Sequence, residues 1–277
     1  LLEILSTLQA GSLDIFLENG KLYIQGSRTK SELQTVDAQE FPPFPQKQGE
    51  NFQLNSGEFL QLLQLGGLAS GVDETRPVFS SMLFELEDGE FAIVSTDGYR
   101  LSRNFSKVSL LASKKILLSA RALKEIGRMI EKSSAKSVEI TLAEEVGQVF
   151  FGFGESEVML RMSEGDYPAY RTILPKEISL CVELEAQELS LAVKSAMVFS
   201  KEVSGIIHLK FSKNGLVVSS VSSSGKSEND VDCKIIEGKD GEIAFNGKYV
   251  QDILQVAGEN QVHFEMLETL KPGTFKF

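Results

Sequence analysis

The chain has 277 residues and a formal net charge of −11, with 42% of its residues hydrophobic. That length suits roughly two domains, and no run approaches the ~18 uninterrupted apolar residues of a membrane span. The negative charge excludes a surface that attracts nucleic acid everywhere, but not a local basic face. The two cysteines, Cys181 and Cys233, are too few and too far apart for a zinc site or a disulfide framework. Flanked by strand-like apolar residues, they read as buried filler in a reduced compartment. His208 and His263 also lie in strand-like runs, with no carboxylate or serine placed for a triad. Gly152-Phe153-Gly154 lacks the lysine and helix start of a phosphate loop. No catalytic residue, metal site or cofactor is therefore expected, and no secretion signal is visible.

In chain order, Leu1-Leu2-Glu3-Ile4-Leu5 reads as a helix and runs into the alternating strand Leu13-Asp14-Ile15-Phe16-Leu17. Period-two alternation marks a half-buried antiparallel strand. The stretch Phe41-Pro42-Pro43-Phe44-Pro45 and the following Gln46-Lys47-Gln48-Gly49 form a boundary. Leu54-Asn55-Ser56-Gly57-Glu58-Phe59-Leu60 then opens a helix that feeds a hairpin turning at Asp88-Gly89. The first pattern returns as Leu123-Lys124-Glu125-Ile126-Gly127 followed by Val138-Glu139-Ile140-Thr141-Leu142. A second boundary spans residues 168–175, and the second pattern returns as Leu184-Glu185-Ala186-Gln187-Glu188-Leu189-Ser190, with a turn at Asn214-Gly215. The first pattern appears once more as Val250-Gln251-Asp252-Ile253-Leu254 before Val262-His263-Phe264-Glu265-Met266. The chain is thus a series of repeats. It predicts an α+β fold of antiparallel sheets with paired helices packed on one face.

The helix predicted over residues 119–133 separates its charges from its apolar side chains. At about 100° per residue, Arg121, Lys124, Arg128 and Lys132 share one quadrant, with Leu123, Ile126, Met129 and Ile130 opposite. Such a row suits a phosphate backbone, which attracts cations without being read for sequence; it equally suits a solvated helix face, and Glu125 borders it. The next repeat adds Lys194 and Lys201, and the last helix only Lys248 near its start. The helix that follows Leu54 carries no cation.

Three segments carry a family resemblance. They are Ser95-Thr96-Asp97-Gly98-Tyr99-Arg100-Leu101-Ser102, then Glu164-Gly165-Asp166-Tyr167-Pro168-Ala169-Tyr170-Arg171-Thr172-Ile173-Leu174-Pro175, and Phe245-Asn246-Gly247-Lys248-Tyr249-Val250-Gln251-Asp252-Ile253-Leu254. In this order and spacing the chain resembles the bacterial DNA polymerase III beta subunit, the sliding clamp. The resemblance implies a DNA-clamp fold of tandem domains, with 1–49 as the end of a first domain, 50–177 as the central one and 178–277 as an incomplete third. It implies a non-catalytic ring that encircles double-stranded DNA, formed by a homodimer of full-length chains, in the cytoplasm at the nucleoid. The paired helices would line the central hole, with Arg121, Lys124, Arg128, Lys132, Lys194, Lys201 and Lys248 facing DNA.

The resemblance also implies a pocket for linear motifs of the polymerase III catalytic subunit, the clamp loader and other replication proteins. Its positions here are Phe79, Thr96, Gly98, Tyr99, Arg100, Leu101, Pro168 and Ile173, with Arg76, Val78, Asn246, Tyr249 and Leu270 extending the groove. Apolar walls would take leucine and phenylalanine anchors, and Thr96 and backbone groups would orient the peptide. Asn246 is equally a good helix N-cap. The chain departs from the family pattern at Val78, Thr172 and Pro272, and it is expected to lack the family's N-terminal part and C-terminal tail, so that it would not close a ring by itself. The alternative reading is a peptide-binding adaptor on the same fold that does not encircle DNA.

Overall fold

A computed structural model describes residues 2–8, 11–41, 43–73, 75–201 and 204–277. Leu1 and Pro42, named above in a helix and a boundary, lie outside the described residues. The chain divides into two units, 1–47 and 48–277.

In the first unit a short helix α1 (Leu2–Thr7) precedes strands β1 (Asp14–Glu18), β2 (Lys21–Gln25) and β3 (Lys30–Gln34), which form an antiparallel sheet in that order. Phe16 pairs with Tyr23 across β1 and β2, and their rings stack 5.3 Å apart. The predicted half-burial of β1 is not observed: the whole strand is exposed. Alternation buries one face only where a second layer covers it, and α1 contributes no buried residue.

The second unit contains two halves of one plan. The first runs β4 (Glu50–Asn55), α2 (Ser56–Gly66), β5 (Ser81–Glu87), β6 (Glu90–Thr96), β7 (Leu101–Lys107), β8 (Lys114–Ser119), α3 (Ala120–Ser133), β9 (Ser137–Ala143), β10 (Gln148–Phe153) and β11 (Ser156–Arg161). The second runs β12 (Leu180–Glu185), α4 (Ala186–Ser200), β13 (Ile206–Ser212), β14 (Gly215–Ser222), β15 (Gly225–Val231), β16 (Cys233–Glu237), β17 (Gly241–Asn246), α5 (Gly247–Ala257), β18 (Gln261–Met266) and β19 (Thr274–Lys276). Sheet β7-β6-β5-β8 of the first half corresponds to β15-β14-β13-β17 of the second. Likewise β4-β9-β10 corresponds to β12-β18-β19, with β11 and β16 at opposite ends. The α+β arrangement of antiparallel sheets and helices expected from the repeats is therefore present.

The motifs at Leu54 and Leu184 do not open helices at their first residue. Leu54-Asn55 ends β4 and Leu184-Glu185 ends β12, and the helices begin at Ser56 and Ala186. Both motifs are strand-to-helix junctions: the leucine is buried in the sheet and the next residue is the cap. Asn55 accepts from the Gly57 amide, as Ser119 does from Ala122 and Asn246 from Lys248. Such caps satisfy amides that the first helical turn leaves unpaired.

Each half folds around aromatic rings. Phe84 meets Phe91 at 5.0 Å and Phe151 at 6.3 Å, both edge-on, and Phe52 lies 5.0 Å from Phe91. In the second half Phe264 packs 5.0 Å from Phe211 and 4.9 Å from Phe275. The helices pair as expected. A side chain on Gly127 of α3 would touch Leu60 and Leu63 of α2, and Gln251 of α5 donates to Ser190 of α4 at 2.8 Å. Gly66 permits α2 to approach β6, since a Cβ there would sit 2.5 Å from the Ile93 carbonyl oxygen. Met129, predicted on the buried side of α3, is 44% exposed, at the edge of an apolar face centred on Leu123, Ile126 and Ile130. No helix among the described residues is long and apolar enough to cross a membrane.

The ring stack makes one position decisive. Phe84→Ala should destabilise the protein by about 3–5 kcal/mol, read as a lowered urea midpoint with an unchanged slope. A loss under about 1 kcal/mol would show that the site collapses around the missing ring.

Candidate functional site

Strand β5 alternates between two buried faces. Met82, Phe84 and Leu86 enter the main core, whereas Leu83 and Glu85 point to the other side of the sheet with Ala92 and Val94 of β6 and Leu117 of β8. A single crossing segment covers that second face. After β11 the Ser163 amide donates to the Leu117 carbonyl at 2.8 Å, and the chain then crosses the sheet to a short 3-10 turn at Tyr170–Thr172. Tyr170 is buried against Leu83, Ala92, Val94 and Leu117, with Val78, Leu101 and Tyr167 packed around it.

The loop at residues 96–101 borders this small core and is shaped by its own side chains. The buried Thr96 hydroxyl donates to the Arg100 carbonyl at 2.7 Å and accepts from the Gly98 amide at 3.1 Å. Asp97 Oδ1 accepts from the amides of Tyr99 and Arg100. Gly98 takes a φ of +93°, which disfavours any side chain, and a Cβ there would lie 3.9 Å from the tip of Phe79. The Arg76 guanidinium in turn lies 5.5 Å from the centre of the Phe79 ring.

Arg100 turns from this loop toward the second half of the unit. Its Nε contacts Asp97 Oδ2 at 3.1 Å, a terminal nitrogen contacts Asp252 Oδ2 of α5 at 2.6 Å, and its plane covers the Tyr249 ring at 4.4 Å. Three partners hold the guanidinium, so it acts first as a tie between the loop and α5. Asp97 and Asp252 were not among the predicted site residues. The Asp-Gly turn is a local signal, but nothing local marks an ion pair 152 residues apart.

The structure thus brings together Val78 and Leu101 around Tyr170, Phe79 with Gly98 and Arg76, and Arg100 with Tyr249. Pro168 and Ile173 flank the Tyr170 turn with their side chains exposed, and Tyr99 is 85% exposed. Asn246 is occupied in capping α5, and Leu270, at 94% exposure, is not packed into the patch. The apolar side chains of Pro168, Ile173, Tyr99 and Leu270 are therefore open to solvent. A cleft of about 450 Å³ does exist elsewhere, lined by Glu183, Glu188, Lys213, Asp232 and Lys234 among others, and includes none of the predicted residues.

Glu85, also absent from the sequence reading, is the charged centre of the covered face. It is 2% exposed. Its carboxylate accepts from the Tyr170 hydroxyl, from Arg171 at 2.9 Å, and faces Lys115 Nζ at 3.4 Å. Arg103 donates to the same tyrosine oxygen at 3.3 Å and pairs with Glu90, and Arg171 also reaches Glu87 at 2.7 Å. Burial alone would push the Glu85 carboxyl up, but the Tyr170 hydroxyl and the Arg171 guanidinium outweigh it and hold the group below the usual glutamate range. A depressed carboxylate contributes stability above its unfolded value of about 4.3 and loses it as pH falls further. Burial and the bond to Glu85 push the Tyr170 phenol up, so it stays a neutral donor. Burial likewise raises both cysteine thiols, of which Cys181 is buried and Cys233 only partly so.

The predicted basic residues are exposed, each on or beside a helix. Arg128 has a side-chain partner, Glu125, one helical turn back, and Lys124 reaches Ser70 Oγ at 3.4 Å. Lys201 is the C-cap of α4 and keeps helical dihedrals, φ −55° and ψ −38°. Lys248 stands in the first turn of α5 and is exposed.

Residues 53–169 match the central domain of the DNA polymerase III beta subunit, and residues 171–276 match its C-terminal domain. Beta sliding clamps of Staphylococcus aureus and Staphylococcus epidermidis are each 24% identical over 263 residues, covering 94% of this chain and 69% of theirs. The DNA polymerase III subunit beta of Pseudomonas aeruginosa superposes with a TM-score of 0.84 at 24% identity, covering 99% of this chain and 75% of that one. The Thermotoga maritima beta subunit gives 0.83 at 20% identity, covering 99% and 74%. The chain belongs to the DNA polymerase III beta-subunit family, the beta sliding clamps.

If Arg100 ties the loop to α5, its partners should couple energetically. A double-mutant cycle of Arg100→Ala with Asp252→Ala should give a coupling of about 1–2 kcal/mol in urea denaturation. Additivity within about 0.3 kcal/mol would reduce the pair to a solvent-screened surface contact.

Proposed function

We propose that this protein is a DNA sliding clamp: paired with a second full-length copy, it encircles duplex DNA and tethers a polymerase to it. The observation that carries this reading is the match to two successive clamp domains over residues 53–169 and 171–276. The domains are taken as 50–177 and 178–277, each built on the same sheet and helix plan, with 1–49 closing a first domain.

The physics of the task suits the charge distribution. A chain of net charge −11 is repelled by DNA over most of its surface, while the exposed cations of α3 give a weak, sequence-independent attraction to phosphates. Lys194, Lys201 and Lys248 add to it from the second half. Weak contacts permit sliding, and topology rather than affinity keeps the protein on the duplex. No chemical step is required of the protein, which is read as a non-catalytic processivity subunit without metal or cofactor, working at the bacterial nucleoid.

The apolar patch around Phe79, Leu101, Pro168 and Ile173 is read as the docking site for leucine- and phenylalanine-bearing motifs of the polymerase III catalytic subunit, the clamp loader and other replication proteins. Thr96, Gly98, Tyr99 and Arg100 frame one side, and Arg76, Val78, Asn246, Tyr249 and Leu270 extend it. The 60% exposure of Ile173 supports this reading, since an apolar side chain left largely in solvent is available to a partner.

Retention on DNA tests the clamp. Loaded by a clamp loader, the full-length protein should persist on nicked circular DNA and leave linearised DNA rapidly. Arg121→Glu with Arg128→Glu should shorten retention on the circle by about tenfold without changing peptide affinity. Equal loss from circle and line would instead mean an adaptor that binds peptides without encircling DNA.

Fluorescence anisotropy tests the patch. Phe79→Ala with Leu101→Ala should weaken a leucine/phenylalanine peptide by about 30-fold or more while the protein stays folded, with only the modest loss of stability expected from a partly packed Leu101. A melted variant would make these two residues core rather than contact surface.

A further inference from the structure

We propose that Glu85 is a positioning residue for the peptide site: it holds the segment 164–178 on the outer face of β5 and so sets where Pro168 and Ile173 stand. This rests on the reading of the patch as a docking surface. Residues 164–178 carry no strand or helix that could fix them, apart from the 3-10 turn at Tyr170–Thr172. The amides of Tyr170, Thr172 and Ile173 bond only to carbonyls within the segment. Among the described residues, every hydrogen bond and ion pair that leaves the segment starts at Tyr170 or Arg171, and both side chains end on Glu85. The Tyr167 hydroxyl, buried beside them, has no partner and ties nothing.

The chemistry of this attachment is directional. Apolar contact alone would press Tyr170 onto Leu83, Ala92, Val94 and Leu117 but would let it slide or turn, because such contact has no preferred angle. A buried carboxylate is costly to desolvate and becomes tolerable only with its partners in place. It therefore penalises any position of the segment in which the tyrosine hydroxyl or the arginine has moved away. Pro168 lies two residues before Tyr170, and Ile173 three after it, where its amide closes the turn by donating to the Tyr170 carbonyl at 3.0 Å. Fixing Tyr170 thus fixes both flanks relative to Leu101 and Val78, which pack on the same small core. Lys115 from β8 and Arg103 from β7 support the carboxylate and the hydroxyl from the sheet side.

The full chain carrying Tyr170→Phe, which removes only the hydroxyl, tests the proposal; Glu85→Gln, which keeps the shape and removes the charge, gives a second measurement. Amide hydrogen exchange is followed together with affinity for a synthetic leucine/phenylalanine peptide. Ile130→Val, a conservative change in the α3 core far from the segment in sequence, controls for general destabilisation. Exchange at residues 170–173 should accelerate by about tenfold, with peptide affinity reduced about five- to tenfold, as expected for loss of one hydrogen bond to a charged group. Strands β5 and β6 should stay protected, and Ile130→Val should leave affinity unchanged. Unchanged exchange at 170–173 would overturn the proposal, as would a loosened segment with affinity intact or an equal affinity loss in Ile130→Val. If the wild-type chain binds no such peptide, the docking reading fails on its own and takes the positioning role with it, while the exchange data still decide whether Glu85 holds the segment.

Discussion

Two-sided burial of the sheet β7-β6-β5-β8 is the constraint on which the rest of this molecule depends. An antiparallel sheet ordinarily packs one face and wets the other. Here β5 is buried at six successive positions and β6 at six, because the main core occupies one face and the segment after β11 the other. That second covering layer has no ladder to secure it. It is secured by a tyrosine ring, an arginine and one buried carboxylate, and the exposed apolar residues beside them are the ones the family resemblance assigns to partner binding. The buried Glu85 carboxylate and the apolar surface read as the docking site are therefore parts of one attachment.

A second long-range connection runs from the same region. Loop 96–101 ends β6 and packs its Leu101 on the small core, and its Arg100 crosses to Asp252 and Tyr249 on α5. The two halves of the second unit are thus joined beside the proposed docking site. A peptide bound there would rest on a surface contributed by one half and braced by the other. The basic helix α3 belongs to the opposite face of the same sheet, with Leu123, Ile126 and Ile130 in the main core. One sheet therefore supports both the surface read as facing DNA and the surface read as facing partners.

Several of these features are legible locally. The turns at Asp88-Gly89 and Asn214-Gly215, the cap at Asn246 and the basic row on α3 depend on neighbours within a few residues. So do the repeats, since each copy solves the same local problem. Other readings fail where context decides. Met129 has the spacing of a core residue but lies at the edge of the buried face. The alternation in β1 is real, yet among the described residues of its own unit nothing covers it.

Composition and repeats determined the α+β class, because periodicity and turn chemistry act over a few residues at a time, and the three motif segments carried the resemblance to the clamp family. The sequence also carried a hint of the covered sheet: Phe91-Ala92-Ile93-Val94 is continuously apolar, as a strand buried on both faces should be. What covers it could not be read there. Glu85 meets Tyr170 across 85 residues, and Arg100 meets Asp252 across 152. Only the tertiary structure decided these pairs, because a charged residue in a strand looks the same whether it faces water or a partner brought to it by the fold.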